Sequence, residues 1–315
     1  MTSIAILIPT FLRPKGVLRT LDGIAKLSLS DLPDGFSDVS LHVVVADNDA
    51  AGQAGLRAVE SVEPTFPFPL HKLAVGERGI PHSRNALLKH AVEVIGADLS
   101  VFIDDDETPS PSWLRELLAV QSRTRADVVG GSVSATYEAE PPTWARELGL
   151  YETPAAADGV CNLVDSTANV LIRNGILSLI TYPWFNPAFA LTGGSDKEFF
   201  LRLKRHGAIF AWSEGANVNE LVPASRATQE WILQRAYRVG NLDMRLLLLN
   251  GSKFALAREA IISLVALGAA LIAYIVFWPF ATKRLMALRR LRRQAGKLAA
   301  FRGFMYEEYA TIHGH

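Results

Sequence analysis

Residues 100–109 read Ser-Val-Phe-Ile-Asp-Asp-Asp-Glu-Thr-Pro, and the fold turns on how they are interpreted. An apolar run from Leu99 to Ile103 stops at four consecutive acids, Asp104, Asp105, Asp106 and Glu107, and Pro109 bars the strand from continuing. The pattern predicts a buried strand that delivers carboxylates to the C-terminal edge of a sheet, the edge where open α/β folds bind ligands. Side chains alternate along extended backbone, so Asp104 and Asp106 fall on one side. Carboxylates this close repel one another unless a cation sits among them. A hard divalent ion such as Mg2+ or Mn2+, shared with substrate phosphates, meets that need. A solvated acidic turn is the competing reading, because blocks of like charge are commonly exposed.

Upstream of this strand the same alternation occurs three times. Residues 3–8, Ser-Ile-Ala-Ile-Leu-Ile, form a first strand closed by Pro9. Thr10-Phe11-Leu12-Arg13 follow as a loop, and Pro14 opens a helix that reaches about Leu27. A second strand, Leu41–Ala46, ends in Asp47-Asn48-Asp49, and residues 51–61 read as a helix. After a loop rich in Pro and Phe come a third strand, His71–Val75, and the loop Gly76-Glu77-Arg78-Gly79-Ile80-Pro81. An amphipathic helix from Ser83 to Ile95 carries Arg84 and Asn85 in its first turn. This βαβαβαβ order predicts a doubly wound, mostly parallel sheet with right-handed crossovers. Thr10, Asp47 and Asp104 then end three strands at one crevice. Asp47 on its own reads equally well as a helix cap.

The second half is less regular. Residues 127–135 and Asn169–Arg173 predict strands, with a loop rich in Pro and Ala at 138–160 between them. Gly193-Gly194-Ser195-Asp196-Lys197-Glu198 opens a helix running to His206-Gly207, and Asp196 is either a first-turn acid or a carboxylate at a pocket rim. Residues 208–218 read as a final strand pair. A helix over 226–249 carries Arg226, Arg235, Arg238 and Arg245, which form a solvated face or meet a diphosphate or an anionic headgroup.

Composition sets further bounds. The 315 residues hold 32 Lys and Arg against 32 Asp and Glu, so no net charge draws the chain to nucleic acid, and none is expected as a partner. The single cysteine, Cys161, excludes an intrachain disulfide and fits a reducing compartment. The apolar run near Met1 is too short for a signal peptide, which points to a cytoplasmic catalytic part. Residues 260–280 contain no charge across 21 positions, a length that can span a bilayer. Beyond them, seven Lys and Arg over 281–300 alternate with leucines, as in helices that lie on anionic membranes. The positive-inside rule applied to one span would place the N-terminal part outside, where a reduced cysteine does not belong. A helical hairpin that breaks near Pro279 resolves the conflict.

Five motifs in order resemble the inverting glycosyltransferases of family 2, which have the GT-A fold. They are Ile8-Pro9-Thr10-Phe11-Leu12-Arg13, Val45-Ala46-Asp47-Asn48, Gly79 to Ala86, Phe102 to Glu107, and Gly193 to Glu198. The resemblance covers roughly residues 3–240, and Glu220, Pro223 and Arg226 are similar to the branch that assembles bacterial exopolysaccharides. It implies a nucleotide-sugar donor, a UDP-sugar above all, bound by Pro9, Thr10, Phe11, Arg13, Asp47, Arg84, Asp104 and Asp105. Asp106 would hold Mg2+ or Mn2+, Asp196 would be the catalytic base, and Glu220 and Arg226 would contact acceptor or diphosphate. The implied acceptor is a saccharide, carried on a polyprenyl diphosphate at the cytoplasmic face of the plasma membrane. The expected organisation is a catalytic domain over 1–225, a helical extension over 226–258 and a membrane-associated segment over 259–315. Ser195 replaces the commoner Glu before the base, and Gln229-Glu230-Trp231 does not supply the Gln-x-x-Arg-Trp motif of processive synthases, so one sugar per encounter is expected. A sugar-nucleotide nucleotidyltransferase would need a Gly-rich, Lys-bearing loop where Pro9-Thr10-Phe11-Leu12-Arg13 stands. A non-catalytic membrane scaffold leaves Asp196 without a role.

Overall fold

In the computed structural model, which describes residues 1–307, the acidic run lies at the centre of a nine-stranded mixed sheet. The first strand, β1 (Thr2–Thr10), continues through Pro9 instead of stopping there. Its ladder to β4 (Leu99–Ile103) ends at Leu7, so the missing Pro9 donor falls beyond that pairing. With β2 (Val39–Asp47) and β3 (Leu70–Ala74) these strands make the parallel part, in the order β3-β2-β1-β4. The other half is mixed: β8 (Asn169–Arg173) runs antiparallel to β4 and to β6 (Val128–Tyr137). Next comes β9 (Phe210–Val222), parallel to β6.

Two expectations are corrected here. Pro109 does not end strand structure, because Glu107–Pro109 form a short strand, β5, at the sheet edge against β9. An edge position tolerates proline. Residues 208–218 are not a strand pair. β9 is one strand of 13 residues that pairs β6, β5 and the short β7 (Gly159–Cys161). A register shift between Gly131 and Val133 of β6 accompanies this change of partners.

Helices cover both faces. Ile4, Ile6 and Ile8 of β1 point to one, where they meet α1 (Pro14–Ala25), α2 (Ala54–Val62) and α4 (Trp113–Thr124) through Val17, Leu21, Leu56, Val59, Leu114 and Leu117. Ala5 and Leu7 point to the other, against α3 (Ile80–His90) and α6 (Ser195–Arg205). This period of two is what a strand buried on both sides requires. α3 begins three residues before the expected Ser83, because Pro81 suits a first turn and Gly79 supplies the positive φ of 127° at its cap. The loop expected over 138–160 contains α5 (Thr143–Leu148) as well as the start of β7.

The C-terminal third is helical. α7 (Gln229–Asn250) starts after Thr228, whose hydroxyl accepts from Trp231 N at 3.2 Å, and this leaves Arg226 in the preceding turn. α8 (Lys253–Val276) is long and apolar enough to cross a membrane, and 6% of its most apolar window is buried. The chain turns at Phe277–Phe280, and α9 (Ala281–Phe301) packs on α8 and on α7, as the expected hairpin requires. Residues 308–315 of the segment expected over 259–315 lie outside the described residues.

The α7–α9 crossing is set by two glycines. A Cβ on Gly240 would strike the Arg293 carbonyl, and one on Gly296 would strike the Tyr237 carbonyl, so backbone meets backbone. Buried Asn241 locks the crossing by donating to the carbonyls of Gly296 (3.2 Å) and Phe304 (2.8 Å). Gly296→Leu should therefore separate the helices and cost about 1–3 kcal/mol, the range for overpacking. A lowered thermal midpoint checks this, and an unchanged one would contradict the close crossing.

Candidate active site

The C-terminal ends of β1 and β4 open on a cleft of about 350 Å³. Its lining includes Pro9, Thr10, Phe11 and Arg13 from the end of β1, Asn48 after β2, Ser83 and Arg84 from α3, and the run Asp104 to Glu107. Glu220 from β9, Arg226 from the turn before α7, and Trp231, Arg235 and Arg238 from α7 close it.

The acidic run leaves extended backbone after Ile103 and forms a turn, closed by the Glu107 N–H donating to the Asp104 carbonyl at 3.2 Å, which corrects the expected strand alternation. Asp105 is buried and turns to Thr10, whose hydroxyl donates to it at 2.7 Å, and to Arg13 at 3.0 Å. Asp104 and Asp106 are half-buried. Arg13 Nη1 also reaches Asp106 at 2.9 Å. Leu12, just before it, holds a positive φ of 55°, a conformation that costs a non-glycine residue energy and turns Arg13 inward. Arg226 Nη1 bridges Asp106 (3.3 Å) and Glu220 (3.2 Å). Asp106 thus lies between two guanidinium groups. Burial opposes the charge of Arg13, yet Asp105 and Asp106 more than offset it and raise its pKa.

Asp104 is different. Among the described residues no N–H or O–H donates to its carboxylate. Burial pushes its pKa up to about 7, against the pull of Arg84 and with the help of Asp106, Asp105 and Asp196. Asp105 rises to about 6, again chiefly through burial, with Arg13 opposing. Glu107 is buried, accepts from Asp104 N at 3.0 Å and is raised for the same reason.

α1 holds this turn in place. A Cβ on Gly16 would come 2.5 Å from the Asp105 carbonyl, and the Thr20 hydroxyl donates to the Glu107 carbonyl at 2.6 Å. Sequence reasoning missed both residues. A helical glycine and threonine carry no signal of a contact about ninety positions away.

Other expected residues fall less simply. Asp47 is fully buried, and its carboxylate accepts from Asp49 N (2.9 Å), Gly55 N (2.9 Å) and Leu56 N (3.3 Å). It caps α2 and is not among the lining residues, whereas Asn48 is. Arg84 is buried beside the Ser195 hydroxyl (3.4 Å) and the Asp196 carboxylate (3.9 Å). Asp196 sits in the first turn of α6, after Gly194 at a positive φ of 87°, and reaches the site through Arg84 without lining the cleft. Phe11 lies under Arg78, 5.9 Å from its ring centre. Of the four arginines noted around α7, Arg226, Arg235 and Arg238 line the cleft, while Arg245 packs over Phe189 at 4.0 Å.

Two buried donors in lining residues, the Ser83 hydroxyl and Arg84 Nε, have no hydrogen-bond partner among the described residues. Buried polar atoms are rarely left so. A ligand rich in acceptor oxygens would satisfy them.

A parallel half-sheet with carboxylates and arginines at its C-terminal edge defines a site for an anionic, oxygen-rich ligand. Residues 5–178 match the family model described as glycosyl transferase family 2, and the chain belongs to that family as an α/β glycosyltransferase. It is 34% identical to the succinoglycan biosynthesis protein ExoM of Rhizobium meliloti (strain 1021), over 76% of this chain and 73% of that one. In fold it is similar to the S. aureus TarS 1-349 crystal structure in complex with UDP, at 15% identity and a TM-score of 0.52, covering 96% of this chain and 92% of that one. A second crystal structure of S. aureus TarS 1-349 gives 16% and 0.51, with the same coverage.

Proposed function

We propose that the protein is an inverting glycosyltransferase that moves one sugar from a UDP-sugar to a lipid-linked saccharide during exopolysaccharide synthesis. The observation that carries the proposal is the cleft where an acidic turn ringed by arginines shares its lining with Ser83 and Arg84, each with a buried donor that has no partner among the described residues. The likeness to a succinoglycan biosynthesis protein supports the pathway, and the fold shared with a UDP-bound structure supports the donor.

Phe11 and Asn48 flank the base, and Asp104, an acceptor lacking a donor, suits the ribose hydroxyls. Arg13, Arg84 and Arg226 meet the diphosphate. Asp47 acts from behind by fixing α2 and the turn that carries Asn48. Asp196 takes the proton of the acceptor hydroxyl as its oxygen bonds to the anomeric carbon, and the nucleoside diphosphate leaves with the electrons of the broken bond.

The donor set fits a divalent ion only in a particular way. Among the described residues no group of three or more His, Cys, Asp or Glu side chains is arranged for a metal. Mg2+ or Mn2+ accepts one or two carboxylates and completes its shell with substrate phosphates and water. Asp106, supported by Asp104, provides that much, and the ion when bound would neutralise charge on the departing diphosphate.

The protein divides into a catalytic part over 1–225, an extension over 226–258 and a membrane-associated hairpin from 259 onward. The hairpin rests on the cytoplasmic face of the plasma membrane, with α8 as anchor and each Lys or Arg of α9 near an anionic surface adding about 1 kcal/mol. Incubation with UDP-sugars, Mg2+ or Mn2+ and membrane lipid should release UDP and label a lipid fraction. No UDP release with any donor would overturn the proposal.

A further inference from the structure

A second cavity, of about 260 Å³, lies on the seam between α7 and α9. Arg235 of α7 and Arg289, Arg290 and Arg293 of α9 line it, over an apolar floor that includes Trp231 and Met286. None of its lining residues is acidic. Arg293 is paired with Asp243 at 2.6 Å, outside the lining. Arg289 donates to the Met286 sulfur 3.9 Å away, a weak acceptor. Burial lowers the Arg289 pKa, and the neighbouring Arg293 and Arg290 lower it further. Arg235 also stacks over the Trp231 ring at 5.1 Å, and Arg289 and Arg290, set beside Arg293 and this apolar floor, suit a multiply charged anion with an apolar portion.

Two features say which anion. Trp231 and Arg235 line both this cavity and the catalytic cleft, so an occupant of one adjoins an occupant of the other. The wall formed by α9 also carries α8, whose exposed Ile261, Leu264, Val265, Ile272 and Ile275 offer a surface for hydrocarbon. We infer that the α7–α9 seam holds the diphosphate of the lipid-linked acceptor, with its sugar directed past Trp231 into the cleft and its hydrocarbon along α8. This inference rests on the acceptor class proposed above and adds the place where the acceptor is gripped.

The test measures binding of farnesyl diphosphate to the full chain, with UDP binding followed in parallel. Wild type should bind farnesyl diphosphate without competition from UDP. Arg289→Glu and Arg290→Glu should each weaken that binding by about tenfold or more, the scale of a charge-assisted hydrogen bond, with UDP affinity unchanged. Arg290 is exposed, so Arg290→Lys keeps the fold and the charge and should retain most of the affinity. Inorganic pyrophosphate should bind at least about tenfold more weakly than farnesyl diphosphate, because it leaves the apolar floor uncovered. Equal binding of pyrophosphate would make this a free-anion site and overturn the lipid occupant. Displacement of farnesyl diphosphate by UDP would place it in the catalytic cleft and overturn the seam as its site. Binding to phosphatidylglycerol vesicles that depends on Arg289 and Arg290, without farnesyl diphosphate binding, would make the seam a headgroup contact and overturn the inference too. Loss of UDP binding in wild type is a separate result, and it would count against the donor reading.

Discussion

Replacing Asp196 with Asn should slow sugar transfer by about 10²–10⁴-fold, the usual scale of a lost general base, while UDP affinity stays near that of wild type. The geometry argues for this separation. Asp196 stands in the first turn of α6, outside the lining of the cleft, and is tied to it through Arg84 at 3.9 Å. The glycines before it hold the turn: Gly194 is in the left-handed region, and a Cβ there would strike the side chain of Leu242 on α7. In the proposed reaction a carboxylate so placed would serve the acceptor hydroxyl without touching the base or ribose of the donor. Asparagine keeps the shape and loses the proton acceptor, so kcat should fall with donor KM nearly unchanged. An equal loss of UDP binding would move Asp196 into the nucleotide site through its effect on Arg84. Unchanged turnover would remove it from the mechanism.

The parallel half-sheet is legible in the sequence because both its signals are local. Apolar runs such as Ile4–Ile8 and Leu99–Ile103 mark strands buried on two faces, and Pro14 marks a helix start. The acidic run is equally visible as a run, but the turn it makes, closed by the Glu107 N–H on the Asp104 carbonyl, is not. What stays hidden depends on distant partners. The Asp47 motif cannot reveal that Gly55 and Leu56 claim its carboxylate, because a cap and a ligand contact have the same local pattern. Asp106 gives no sign of the two arginines around it, one 93 residues upstream and the other 120 downstream. Gly240 and Gly296 look like weak points in two helices, yet they permit the crossing that brings Arg289 and Arg290 beside α7. Pro9 and Pro109 both lie inside strands that their sequence would end, because a strand tolerates proline wherever its N–H side lacks a neighbour.

Asp106→Asn should abolish detectable transfer and weaken donor binding. In the protein alone one oxygen of this carboxylate accepts from both Arg13 at 2.9 Å and Arg226 at 3.3 Å, so it holds the two cations together. Loss of its charge leaves Arg13 with Asp105 and Arg226 with Glu220, each still paired, so the fold should survive. Two functions would be lost together: the ordering of both arginines toward a diphosphate, and the one carboxylate beside Asp104 available to a divalent ion. A titration of wild type with chelator separates the two functions. If the ion is required, excess chelator should reproduce the loss of transfer and added Mg2+ or Mn2+ should restore it, while the Asn variant stays inactive at every metal concentration. Full wild-type activity in chelator would leave Arg13 and Arg226 as the charge partners of the diphosphate, with Asp106 as their organiser. Full activity of Asp106→Asn would exclude both roles.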